Sequence, residues 1–153
     1  MTRKTKPFAR TLRALSTVAL MLLVSPVWAL GFASPSGNIK CYVETYGEDS
    51  IIEADLVCLI FDAAWDLPPD YGDGDPTCDL DETRTLVLPT SGQPEERWTC
   101  HGDVFWPAPL ATISYGSEWS FYSYTCAMAA SGVSCENRNG NGFSVNRAGR
   151  TLN

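Results

Sequence analysis

The apolar and polar positions of this chain fall into short alternating runs rather than helical stripes. Ile39 to Val43 has strand composition, and it follows Pro35-Ser36-Gly37-Asn38, a tetrapeptide with strong turn chemistry. Ile51 to Ile60, IIEADLVCLI, is a second apolar run. Glu53, Ala54 and Asp55 weaken its strand propensity, but its β-branched residues and short length favour a strand over a helix. Arg84 to Leu88 and Arg97 to His101 read as two more strands. From Trp119 onward the pattern is clearest, with strands expected near 119–128, 132–138 and 142–148. Turn chemistry at Ser131-Gly132 and at Asn139-Gly140-Asn141-Gly142 separates them. No amphipathic helix is expected after residue 29. The fold class is all-β: a small, disulfide-stapled antiparallel sandwich or barrel ending in a three-stranded meander.

The meander can be given a register. If Cys126 bonds Cys135 across a hairpin, Met128 faces Val133 and Tyr124 faces Asn137. If Asn137 then faces Phe143, Cys135 faces Val145 and Val133 faces Arg147. Residues two apart in a strand share a face. Tyr124, Cys126, Met128, Val133, Cys135, Phe143 and Val145 therefore form one core face, with Asn137 and Arg147 at its margins. A half-buried arginine there would need partners, because an unpaired buried charge is costly.

The first 29 residues break the strand pattern. Arg3, Lys4, Lys6, Arg10 and Arg13 precede an uncharged, mostly apolar run from Ala14 that ends Val27-Trp28-Ala29. That is the layout of a signal peptide cleaved near Ala29, and the run is short for a membrane span. The expected organisation is thus 1–29 signal peptide and 30–153 a single domain, periplasmic or extracellular, with no transmembrane anchor. The leader takes five of the 11 basic residues and none of the 18 acidic ones. What remains is 6 basic against 18 acidic groups, a net of −12. Such a surface repels phosphate backbones, which argues against nucleic acid and towards a cationic protein or a cell-envelope component as partner.

All six cysteines lie in the part expected to be exported, and an even count there implies three disulfides. Six cysteines allow fifteen connectivities. The expected pairs are Cys126–Cys135 across the hairpin, then Cys41–Cys58 and Cys78–Cys100. Residues 62–82 carry three prolines, two glycines and eight acidic groups, which implies a long loop. Asp73, Asp75, Asp79 and Asp81 make calcium the one metal worth considering, but their spacing fails the EF-hand pattern. No metal and no cofactor are expected.

Three stretches carry a family likeness: FASPSGNIKC, the WTCHGD segment and SGVSCENRNGNGFSVNR. Together they resemble a family of small secreted bacterial proteins of unknown function, with the approximate pattern FxSPSGNIxC, CxGD, GVxCxN and GHGFxxxR. The resemblance spans nearly all of residues 30–153. It maps onto Ser36, Gly37, Asn38 and Cys41, onto Cys100, Gly102 and Asp103, and onto Gly132, Cys135, Asn137, Gly142, Phe143 and Arg147. Where the family commonly has histidine, this chain has Asn141, which can serve neither as a base nor as that kind of metal ligand. The resemblance implies a disulfide-stapled exported domain and no particular chemistry.

The function expected is therefore binding without catalysis. Asn137, Asn141 and Arg147 are binding candidates from the meander. Phe105 and Trp106 are candidates as aromatics in a connection punctuated by Pro107 and Pro109, and Trp65, before Pro68-Pro69, admits the same reading. The alternative is a small secreted hydrolase using His101, the only histidine, beside Asp103. No glycine-flanked serine elbow supports it.

Overall fold

The computed structural model describes residues 30–47, 53–66, 79–102 and 110–153. Among them there are eleven strands and no helix. They are β1 (Gly31–Ala33), β2 (Ile39–Tyr46), β3 (Glu53–Ile60), β4 (Asp81–Pro89), β5 (Glu95–His101), β6 (Ala111–Thr112), β7 (Glu118–Phe121), β8 (Tyr124–Ala129), β9 (Gly132–Asn137), β10 (Gly142–Asn146) and β11 (Gly149–Leu152). Two sheets form, ordered β5-β4-β3-β2-β1-β6 and β11-β10-β9-β8-β7. Every pairing is antiparallel except the short one between β1 and β6.

The two sheets share one buried cluster, so the all-β expectation resolves to a sandwich. Phe32, Cys41, Leu56, Cys58, Leu86 and Leu88 come from the first sheet; Tyr124, Cys126, Met128, Val133, Cys135, Phe143 and Val145 from the second. β3 runs through the middle of the first sheet and is buried on both faces, since Val57 and Leu59 join Val87 in a second cluster behind the sheet. That double burial is why Leu56 to Ile60 is a continuous apolar run rather than an alternating one. The turn at 34–37 forms as its residues imply: Gly37 takes φ 75° and its N–H donates to the Ser34 carbonyl.

Two disulfides, Cys41–Cys58 and Cys126–Cys135, join directly opposed residues of adjacent strands, one in each sheet. They close separations of 17 and 9 residues, worth about 3 kcal/mol each if they act on the unfolded chain. Cys100 is also disulfide-bonded, while Cys78 lies outside the described residues.

The expected three-stranded meander forms as β8–β9–β10 and is extended by β7 and β11 into a five-stranded sheet. Two expectations for the C-terminal part are corrected. Residues 119–128 are two strands, β7 and β8, joined by a two-residue turn at 122–123 that places Tyr122 at φ 57°. A left-handed first turn position normally calls for glycine, so a tyrosine there hid the break. The β9–β10 register is also two residues from the one expected: Phe143 faces Cys135 and Val145 faces Val133. A shift of two preserves facing, so all seven residues assigned to the core are buried. It does not preserve the margins. Arg147 leaves the sheet at the turn after β10, where it is 66% exposed and pairs with Asp62 at 3.1 Å.

Candidate functional site

The lateral edges of the sandwich are sealed differently. Where β1 meets β7, Trp119 packs against Phe32 with ring centroids 5.1 Å apart and stacks on Phe121 at 6.1 Å. At the other edge, β5 and β11 are linked by charge. Glu96 is 6% exposed and accepts from Trp65 Nε1 at 2.8 Å, while Arg150 Nη2 reaches its other oxygen at 2.7 Å. Arg84 donates to the Trp65 carbonyl and lies 3.7 Å from the centre of the Trp98 ring. Trp65 is thus a core residue rather than an exposed anchor.

One end of the sandwich carries the candidate site. A groove of about 370 Å³ is lined there by Tyr46, Glu53 and Asp55 from β2 and β3, by the 89–92 turn after β4, and by Tyr122 and Arg138 from the second sheet. Its rigid base is made by Ala54, whose carbonyl accepts from both Tyr124 Oη and Thr90 Oγ1 at 2.6 Å. Tyr122 is 69% exposed and Tyr46 46%. Partial burial, then the charge and hydrogen bond of Asp55 and the charge of Glu53, push the Tyr46 phenol above its ordinary value. Burial likewise raises Tyr124, against the lowering effect of its Thr90 hydrogen bond. Glu53 and Arg138 have no hydrogen-bond or ion-pair partner among the described residues.

Asn137, Asn139 and Asn141 stand beside this groove and hold its turns. Asn137 is buried; its Nδ2 donates to the carbonyls of Pro89 and Gly92 at 2.9 Å, and its Oδ1 accepts from the N–H groups of Asn139 and Asn141. Asn141 Oδ1 accepts from Gln93 Nε2 at 2.8 Å. Both side chains are therefore occupied in joining the β9–β10 turn to the β4–β5 turn. Arg147 sits at the turn leading from β10 into β11 and does not join them. Gly142 is required for another reason: a Cβ there would lie 2.1 Å from the Cys135 carbonyl oxygen.

A larger concavity of about 560 Å³ lies on the second sheet, lined by small residues such as Gly132, Ser134, Ser144, Gly149 and Thr151. Its arginine, Arg150, is committed to Glu96. It offers hydroxyls and no ring or free charge.

His101 ends β5 opposite Asp81. Its Nδ1 meets the Gly102 carbonyl at 3.0 Å and its Nε2 shares a short hydrogen bond with Thr83 Oγ1. Thr83 is 5% exposed, so the one hydroxyl that histidine touches is shielded. Asp103, Phe105 and Trp106 lie outside the described residues, as do Asp73 and Asp75 of the calcium candidate. Asp79 and Asp81 are exposed, and among the described residues no three His, Cys, Asp or Glu side chains are grouped to hold a metal.

The groove residues Tyr46, Glu53, Asp55, Tyr122 and Arg138 carry no motif. They come from four places in the chain, and only the strand ends bring them together. No local signal marked them, since the Tyr122-Ser123 turn lacks the glycine, asparagine or aspartate that would have announced it.

The residues that hold the turns are those of the SGVSCENRNGNGF stretch, and the match to known families falls over them. A family model described as a family of unknown function, DUF6636, matches residues 14–153. The chain belongs to that family. No curated protein and no solved structure matches it. Within DUF6636, then, the meander motif of this chain is explained by structure: Gly142 by strand approach, Phe143 and Cys135 by the core, and Asn137 by the turn bracket.

Proposed function

We propose that this DUF6636 protein is an exported domain that acts by binding, not catalysis, and that the groove between Tyr46 and Tyr122 receives a cell-envelope component. The observation that carries this reading is Tyr122. A non-glycine residue at φ 57° is strained, and here the strain holds a ring that is 69% exposed on a groove wall. Packing does not account for it. The disulfides support an oxidising compartment, and among the described residues no helix is long and apolar enough to cross a membrane. The leader at 1–29 supports export. The hydrolase alternative finds less support, because His101 hydrogen-bonds to a buried threonine.

The test is a titration of the isotopically labelled, folded protein with a soluble digest of bacterial cell wall. Amide shifts are expected to cluster at Tyr46, Asp55, Gly92, Tyr122 and Arg138, and to vanish in Tyr122→Gly while its spectrum stays native. Shifts confined to the Ser134–Ser144 face would overturn the site. Consumption of the digest that stops in His101→Gln would overturn the non-catalytic reading.

A further inference from the structure

The groove is not uniformly acidic, and its charges are arranged in a particular way. Glu53 and Asp55 line it from the first sheet, and Arg138 lines it from the second. The described part of the chain is rich in carboxylates, and its other arginines have used that supply. Arg97 pairs with Glu95, Arg147 with Asp62 and Arg150 with Glu96, while Arg84 is taken up by the Trp65 carbonyl and the Trp98 ring. Arg138 has no such partner among the described residues, although two carboxylates line the same cavity. Glu53 is in the same position. Opposite charges that share a groove without closing on each other leave a gap with a positive and a negative end.

From this we infer that the groove takes a short dipolar ligand of peptide type, its ammonium group towards Glu53 and Asp55 and its carboxylate on Arg138. The inference rests on the binding reading above and names its ligand chemistry. Arginine suits the second contact, since its planar fork can hold both oxygens of a carboxylate. Tyr46 and Tyr122 supply ring faces for the apolar body between the charges, and a ring face also favours an ammonium group. The volume, about 370 Å³, is at the lower end of ligand pockets and suits a peptide of two or three residues. Other ligand classes leave something unmatched. A polyanion meets Glu53 and Asp55 as well as the net charge of −12 over residues 30–153. A simple cation meets Arg138. A neutral sugar would desolvate Arg138 and Glu53 without replacing their water contacts by opposite charge.

The experiment titrates the folded protein with trialanine bearing free termini, with N-acetyl-trialanine, with trialanine amide and with chitotriose. Free trialanine is expected to shift the amides of Asp55, Gly92, Tyr122 and Arg138 saturably. Blocking either terminus is expected to weaken binding about ten-fold, the scale of one lost charge-assisted hydrogen bond. Arg138→Gln should abolish the difference between the free peptide and the amide, and Glu53→Gln the difference between the free and acetylated peptides. Both side chains are at the surface, so the variants should fold. Equal affinity for free and blocked peptides overturns the dipolar assignment. Chitotriose shifting the same amides where trialanine does not also overturns it, and leaves the binding groove standing. A groove that responds to no probe, including the cell-wall digest, removes both proposals.

Discussion

Two clusters in this molecule are made from the same kinds of residue. At the β5–β11 edge, Trp65, Glu96, Arg150, Arg84 and Trp98 combine rings, a carboxylate and two guanidinium groups. At the end of the sandwich, Tyr46, Tyr122, Glu53, Asp55 and Arg138 combine the same chemistry. In the first cluster the groups satisfy one another: both Glu96 oxygens are bonded, and Arg84 is taken up by a carbonyl and a ring. Only Trp98 Nε1 remains buried without a partner. In the second cluster Arg138 and Glu53 remain unmatched and both tyrosines are exposed. The difference is positional. The first cluster lies between two edge strands that must be joined, so its charges are enclosed and must pair. The second lies where strands end and turns begin, so its charges can keep their water contacts until something displaces them.

The largest expected effect separates the two clusters directly. Arg150→Met should destabilise the protein by about 3 kcal/mol, because it removes the guanidinium that pairs with the buried Glu96 carboxylate. Arg138→Met should change stability by less than about 0.5 kcal/mol. Chemical denaturation of both variants checks this, and equal losses would erase the distinction. Next comes Asn137→Ala, which leaves the Pro89 and Gly92 carbonyls and two turn N–H groups short of a partner. A loss of about 2 kcal/mol is expected, read as a lower melting temperature.

A smaller effect tests the base of the groove. Tyr124→Phe removes one of two hydrogen bonds to the Ala54 carbonyl and should cost about 1 kcal/mol near neutral pH. The folded-state pKa of Tyr124 is raised, so the folded protein holds that proton more tightly than the unfolded chain. Its contribution is complete below the ordinary tyrosine value of about 10 and is lost as pH rises through the folded value. Stability measured across pH 9 to 12 should therefore fall less steeply in Tyr124→Phe than in the parent. Tyr42, also raised by burial and then by Glu44, keeps some of the alkaline loss in both. The smallest effect is Tyr122→Gly. Relief of the left-handed strain should leave stability unchanged or raise it by up to about 1 kcal/mol, measured by thermal unfolding. A clear loss would mean that the exposed ring is structural.

The longer strands β2–β5, β9 and β10, the core face of β8–β10 and the Cys126–Cys135 hairpin disulfide were legible from residue order, because side-chain facing in a strand has a period of two and cysteines opposed in a register must meet; the short strands β1, β6 and β11 were not. The break at Tyr122 was not, since its turn lacks the residues that normally mark one. Arg147 was misplaced because a register error of two residues leaves every facing intact and changes only which residues fall beyond the strand. The groove was illegible for a deeper reason. Its five key residues are contributed by four separate strand ends and turns, and nothing local distinguishes an arginine that will find a carboxylate from one that will not. Amino-acid order by itself determined an all-β, disulfide-bonded chain with its apolar faces assigned. Only the packing of one sheet on the other decided which charges were enclosed and paired, and which were left facing each other across a gap.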